Sequence, residues 1–264
     1  MKKIIFTAGI LCSLSSYSQM KEGKIIYERI TQTPSVVYAQ IDAEVAAQIP
    51  KSRTDQFELL FGNNTSLYQF IPSVAGEGNG FSGNGFFVRT TGGNDVSYHD
   101  FNSGTRLDLR EVLDRQFLVS DSIKKGSWKL TDETKEILNY NTRKAVGQRI
   151  RTSTRMRMEN GEMMSEEIQD TAVIIAWFST EIPVSVGPDS QGQLPGAILE
   201  LDINNGQVIY RAIEISAKVN LKKIKPPSEG KKITAEEFVI ERDKLMEEMK
   251  KNMPGDGQIR IRRF

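Results

Sequence analysis

The sequence predicts a mainly β (α+β) protein, a bent antiparallel sheet or partial barrel carrying one amphipathic helix near the C-terminus. Three observations predict it. Apolar residues come in short runs broken by Gly, Asn and Asp, the punctuation of strands and tight turns. Ala197 to Ser216 alternates apolar and polar side chains on both sides of Asn204-Asn205-Gly206, whose residues tolerate positive φ. Only the segment after residue 233 pairs a helix-start signal with an apolar stripe at helical spacing.

Taken in order, Lys2 and Lys3, the apolar run Ile4 to Leu14 and the small-x-small pattern Ser16-Tyr17-Ser18 read as a secretory signal peptide over residues 1–18. The run is shorter than the roughly 20 residues that span a bilayer, so no transmembrane segment is expected. Leu11 before Cys12 does not fit a lipobox, and cleavage after Ser18 removes Cys12. Residues 19–221 form the expected antiparallel β domain. Within it, Ala39 to Gln48 is rich in helix formers and Pro50 ends it. Gln56 to Ile71 reads as a hairpin around Gly62-Asn63-Asn64. Ala75 to Gly85 reads as a flexible surface loop, and Phe86 to Thr90 pairs with Val96 to Asn102 across Gly92-Gly93-Asn94. Asp108 to Asp114 fits a helical turn or a strand. Arg149 to Asp170 reads as a hairpin around Asn160-Gly161, and the unbroken apolar run Thr171 to Phe178 as a central strand covered on both faces.

Lys222 to Lys232 concentrates Lys with Pro226-Pro227 and Gly230, so residues 222–233 read as a linker. A helix over 234–253 follows, started by a Thr234/Glu237 capping box and finished by Lys250 and Lys251. Phe238, Val239, Leu245, Met246, Met249 and Met253 fall on one stripe, which should lie against the sheet or a partner. Pro254 and Gly255 stop the helix, and the tail over 254–264 ends in an alternating pattern like an edge strand.

Composition excludes several chemistries. There are 35 Lys and Arg against 34 Asp and Glu, for a net charge of +1, with one His and one Cys. Removing residues 1–18 leaves 33 basic against 34 acidic side chains and no cysteine. A chain this neutral has no field to hold polyanions, so nucleic acid is not an expected partner. Thiol catalysis and Cys metal sites are excluded in the mature chain. His99 alone cannot build a histidine zinc site, and no G-x-S-x-G elbow accompanies it, so an ordinary strand histidine is expected. Gly78 to Gly83 matches G-x-G-x-x-G, but β-like residues follow instead of a helix, and no nucleotide cofactor is expected. Met156, Met158, Met163 and Met164, and Met246, Met249 and Met253, are soft ligands suited to Cu(I), although packing accounts for them more simply. Asp202 to Gly206 reads as a turn; it lacks the spacing of a calcium loop. Glu166, Glu167, Glu236 and Glu237 read as solvated or capping acids, and no cofactor is expected at all.

The stretch Ala176 to Pro188, read A-W-F-S-T-E-I-P-V-S-V-G-P, and then Gln193 to Ile198, read Q-L-P-G-A-I, resembles the GLPGLI family of exported Bacteroidota proteins. Trp128 to Ile137 and Tyr140 to Ala145 resemble the block that precedes the motif in that family. The resemblance covers roughly 128 to 215, departs from the family letters at Gln193 and Ala197, and implies an envelope location in a Gram-negative bacterium. It implies no activity and no catalytic residue. From the residues themselves, Pro183, Gly187, Pro188, Gly192, Pro195 and Gly196 make a stiff loop, either a rigid corner or a binding surface. The candidate ligand or partner surface is Trp177, Phe178, Pro183, Gly187, Pro188, Leu194, Pro195 and Gly196. The expected function is non-enzymatic binding of an apolar ligand or an outer-membrane partner between sheet and helix. A hydrolase using Ser or carboxylate chemistry, or a scaffolding role, is the alternative.

Overall fold

The structure, a computed structural model, describes residues 19–33, 43–72, 80–83, 86–89, 95–159 and 162–252. The signal-peptide segment, the tail, the turns at 92–94 and 160–161 and the first residues of the 39–48 stretch lie outside the described residues. The strands are β1 (Gly23–Gln32), β2 (Ser52–Gly62), β3 (Thr65–Ile71), β4 (Gly80–Gly83), β5 (Phe86–Arg89), β6 (Val96–Asp100) and β7 (Thr105–Val112). They continue with β8 (Arg115–Ser122), β9 (Trp128–Ile137), β10 (Tyr140–Glu159), β11 (Glu162–Ser179), β12 (Ala197–Ile203), β13 (Val208–Ser216) and β14 (Lys231–Thr234).

All but β4 and β5 join one open sheet in the order β14-β8-β7-β6-β3-β2-β1-β13-β12-β11-β10-β9. The fold is therefore mainly β, with a helix at the C-terminus, Ala235–Asn252. Each neighbouring pair is antiparallel except β14 and β8, which run parallel. The hairpin turns explain most of the order. Asn63 and Asn64, at φ 52° and 57°, close β2–β3, and Asn204, Asn205 and Gly206, also at positive φ, close β12–β13. Two more two-residue turns use Leu113-Asp114 and Leu138-Asn139, again at positive φ.

Residues directly opposite one another in the ladder share a face, so the register identifies the inner face of the sheet. It carries Ile25, Tyr27 and Arg29 on β1, Asp55, Phe57, Leu59 and Phe61 on β2, and Ser66 and Tyr68 on β3. Ser97 and His99 continue it on β6, then Arg106, Asp108 and Arg110 on β7, and Phe117 and Val119 on β8. The helix lies at the far end of this face. Its Phe238 and Leu245 pack on Val112, Phe117, Val119 and Ile233.

Several elements differ from the sequence reading. Asp108 to Val112 is strand. Phe86–Arg89 pairs with Gly80–Gly83, inside the stretch expected as a loop, while β6 pairs with β3 and β7. The stretch expected as a linker ends in β14, whose Ile233 is buried against β8. Of the 39–48 stretch, the described residues 43–48 hold one helical turn, Ala43–Ala46. β11 is third from the β9 edge, and only one of its faces is buried, at Ala172, Ile174, Ala176 and Phe178. In the helix stripe Val239 faces outward, 44% exposed, because it sits one residue, about 100° of turn, from Phe238. The capping box is present: Thr234 N–H donates to Glu237 Oε2 (2.8 Å), and Glu237 N–H to Thr234 Oγ1 (3.2 Å).

β10 and β11 outrun their neighbours. Beyond Gly147, β10 pairs only with β11, and before Ile174, β11 pairs only with β10. The pair leaves the sheet as a two-stranded ribbon about 40 Å long.

Candidate functional site

Residues 180–196 join β11 to β12 and fill one half of the inner face. Ile182 and Val186 are wholly buried among Ile25, Tyr27, Leu59, Phe61, Ala197 and Leu199. Backbone bonds every second residue, Val184 N–H to Ile182 O and Val186 N–H to Val184 O (both 2.8 Å), curl this loop tightly. It is knitted to β12 by Ile198 N–H to Val186 O (2.9 Å). Side chains from distant strands then fasten it. Tyr27 Oη donates to Ile198 O (2.6 Å), Ser66 Oγ to Gln191 Oε1 (2.5 Å) and Trp128 Nε1 to Gln193 Oε1 (2.9 Å). Burial pushes the Tyr27 hydroxyl far above its ordinary pKa, so it serves as a neutral donor. A side chain at Gly196 would run into the Ser179 carbonyl, and Gly192 sits at φ +79°, so both positions need glycine.

The structure divides the sequence-derived surface. Phe178 and Leu194 meet in a buried cluster with Ala145, Ile174, Ala176, Ile198 and Leu201. Gly187, Pro188 and Gly196 are buried in the loop, whereas Pro183 and Pro195 are exposed. Trp177 is on the opposite face from Phe178, as strand alternation requires. There the ammonium of Lys135 lies over its ring, 4.3 Å from the centroid. The hydrophobic members therefore form core on one side and an isolated cation-capped ring on the other.

Toward the ends of β1 and β2 that adjoin residues 32 and 52, the inner face becomes polar. Asp55 is nearly buried and accepts from Arg29 Nη2 and from Arg53 Nε, both at 2.8 Å. The Arg29 guanidinium lies over the Phe57 ring at 4.6 Å, and Phe57 stacks on Tyr68 with centroids 5.2 Å apart. Tyr210, opposite Arg29 in the ladder, hydrogen-bonds to it. At the tip of the loop Asp189 pairs with Arg149 of β10 (2.6 Å) and acts electrostatically on both Tyr68 and Tyr210. Burial raises the pKa of both tyrosines. Further along, Asp108 is 6% exposed and accepts from Ser97 Oγ (2.6 Å) and from Arg106 and Arg110. Burial alone would raise its pKa, but Arg110, Arg106 and these hydrogen bonds overcome it and hold the carboxyl below its ordinary range.

His99 lies beside this band, stacked on Phe101 at 6.1 Å and buried. Burial, with Arg106 adding and Asp108 opposing, lowers its pKa to about 4, so at neutral pH it is an uncharged core histidine. Among the described residues no three His, Cys, Asp or Glu side chains come together as a metal site would need. The methionine side chains of the ribbon and the helix lie outside what the structure describes, although the backbone register does set Met158 opposite Met163. No described helix is long and apolar enough to cross a membrane.

Sequence reasoning missed Arg29, Asp55, Tyr68, Asp108, Asp189 and Tyr210. The available signal was the alternation on β1 and β2, which places Arg29 in phase with Ile25 and Tyr27, and Asp55 in phase with Phe57 and Leu59.

Residues 128–200 match the model of a family described as a protein of unknown function (Porph_ging). The family's name points to Porphyromonas gingivalis and fits a Bacteroidota family. No match was found among curated proteins. Among solved structures the chain is similar to PNGF-II in its C2 crystal form, with TM-score 0.50 and 15% identity, over 84% of this chain and 33% of that one. The P21 form of PNGF-II gives 0.49 and 15%, over 85% and 34%. The chain thus spans about a third of the length of PNGF-II, and at this identity the likeness concerns the fold alone.

Proposed function

We propose that the protein is an exported cell-envelope protein of the GLPGLI kind, and that it binds a polar ligand or partner segment on the inner face of its sheet without catalysing a reaction. The observation that carries this reading is the arginine, aspartate and tyrosine band on the inner face, between the half filled by the loop and the end covered by the helix. Ionic groups in such a place cost desolvation that an apolar face would avoid, so folding alone does not account for them. Ile182, Val186, Leu194 and Phe178 fill the apolar half, and Phe238 and Leu245 of the helix pack at the end formed by Val112, β8 and β14, which supports a polar occupant over the expected apolar one. The signal-like segment 1–18 and the motif block over 128–215 support the envelope location.

The test is native mass spectrometry of the chain expressed with its own leader in a Bacteroidota host, together with photo-crosslinkers placed at Tyr210 on the inner face and at Ile240 on the helix. A bound polar compound, or a discrete crosslinked product from Tyr210 and not Ile240, is the expected result. A chain recovered bare, with no product specific to Tyr210, overturns the proposal.

A further inference from the structure

We infer that the Arg29 end of the inner face is an oxyanion-binding subsite built by β1, β3 and the tip of the 180–196 loop. This rests on the inner face being the binding surface and adds the chemical class of the group it takes. Three side-chain atoms on these elements are buried with no hydrogen-bond partner: Arg29 Nε, Tyr68 Oη and Ser190 Oγ. Each has a hydrogen to donate, and a guanidinium nitrogen can do nothing else. Ser190 is 2% exposed, so its hydroxyl has no bulk water to turn to.

The neighbouring acids do not answer these donors and face other arginine nitrogens instead. Asp55 accepts from Arg29 Nη2 and from Arg53, and Asp189 from Arg149. What remains unspent is donor capacity, set among three arginines and two aspartates. An acceptor-rich, negatively charged group completes that balance, because Arg29 Nε can only donate and the arginines outnumber the aspartates, while the two hydroxyls can turn their hydrogens to the same group. The aromatic neighbours favour the same outcome. Phe57 occupies the face of the Arg29 guanidinium and stacks in turn on Tyr68, with ring planes 4° apart. A guanidinium backed by a ring is restrained in position, and arginine so placed binds carboxylate or phosphate through its N–H groups. Carboxylate, phosphate and sulfate share this chemistry. Ordered water is the competing occupant, since it commonly satisfies buried polar groups.

The experiment follows the Arg29 Nε–Hε resonance of the 15N-labelled protein, expressed from the full chain, while sodium acetate, phosphate or sulfate replaces chloride at constant ionic strength. The expected result is a saturable shift at Arg29 Hε and the Ser190 amide, absent from the exposed Arg211. Arg29→Lys should abolish saturation. Tyr68→Phe, which keeps the ring and its stacking on Phe57, should weaken binding by about tenfold, the loss of one charge-assisted hydrogen bond. The anion that saturates first identifies the source of the oxyanion. A resonance that stays still with all three anions, or moves in step with Arg211, overturns the proposal, as does a long-lived water at Arg29 Hε that no anion displaces. Loss of this anion response alongside a persistent crosslink at Tyr210 would remove only the subsite. A saturable response in a chain that carries no ligand or partner would remove the wider binding reading.

Discussion

The two halves of the inner face are built from the same strands yet have opposite character. Along β1, Ile25 and Tyr27 are wholly buried, and two residues later the same face carries Arg29; along β2, Phe61 and Leu59 give way through Phe57 to Asp55. The first half is sealed by Ile182 and Val186 and behaves as the core of the domain. The second is paired, partly open and lined with groups whose burial costs free energy unless each is matched. The difference lies in what the strands meet: the loop resembling the GLPGLI motif acts as packing, and the charged side chains gather beyond its tip.

Phe61→Ala should have the largest effect. Phe61 is fully buried in the apolar half, and the loss should be about 3–5 kcal/mol in urea unfolding. Tyr210→Phe, in the polar half, should cost about 1 kcal/mol or less, the scale of one hydrogen bond. Equal costs would break the comparison.

Acid should have the next effect, through His99, which the ladder sets in line with Ser66 and Phe61. The folded pKa of His99, about 4, lies below its ordinary 6.5, so the unfolded chain binds the proton first. The stabilisation is fully present above pH 6.5 and drains as pH falls toward 4. It amounts to about 3 kcal/mol in total. His99→Phe should flatten the pH dependence of the urea midpoint between those values, and an unchanged slope would show that His99 is not the group responsible.

Asp108→Ala should cost about 1–3 kcal/mol, because it leaves Arg106 without its carboxylate and Arg110 with Asp95 alone, although both arginines are a third exposed and water screens part of the loss. Replacing Arg106, Asp108 and Arg110 together by Met, Leu and Met should recover that stability and remove inner-face binding. That result would sharpen the assignment of stability to one half and function to the other. Thr234→Ala, far from both, should cost about 1 kcal/mol or less, read as faster amide exchange confined to the first turn of the helix.

The fold was legible where local chemistry determines it. Asn63-Asn64 and Asn204-Asn205-Gly206 announce their hairpins, and Thr234 with Glu237 announces the helix. The hairpins β7–β8 and β9–β10 were not legible, because Leu113 and Leu138 occupy positive φ, a conformation a leucine rarely adopts. Tertiary pairing overrides local preference there. β4–β5 and the parallel β14 were missed for a related reason: short strands owe their state to a neighbour, and the neighbour of β14 lies more than a hundred residues earlier.

The candidate site divides along the same line. The Pro/Gly loop stood out in the sequence, but whether Leu194 and Phe178 faced a ligand or the core depended on the curvature of the sheet around them. By itself the sequence determined the mainly antiparallel class, the helix start and the exclusion of multi-histidine chemistry, because turn geometry, capping and composition are properties of neighbouring or counted residues. Only the tertiary structure decided that the loop fills the apolar half and that Arg29, Tyr68, Asp189 and Tyr210 converge. Those residues come from separate strands and a loop, and nothing local records which inner-face positions a bent sheet brings together.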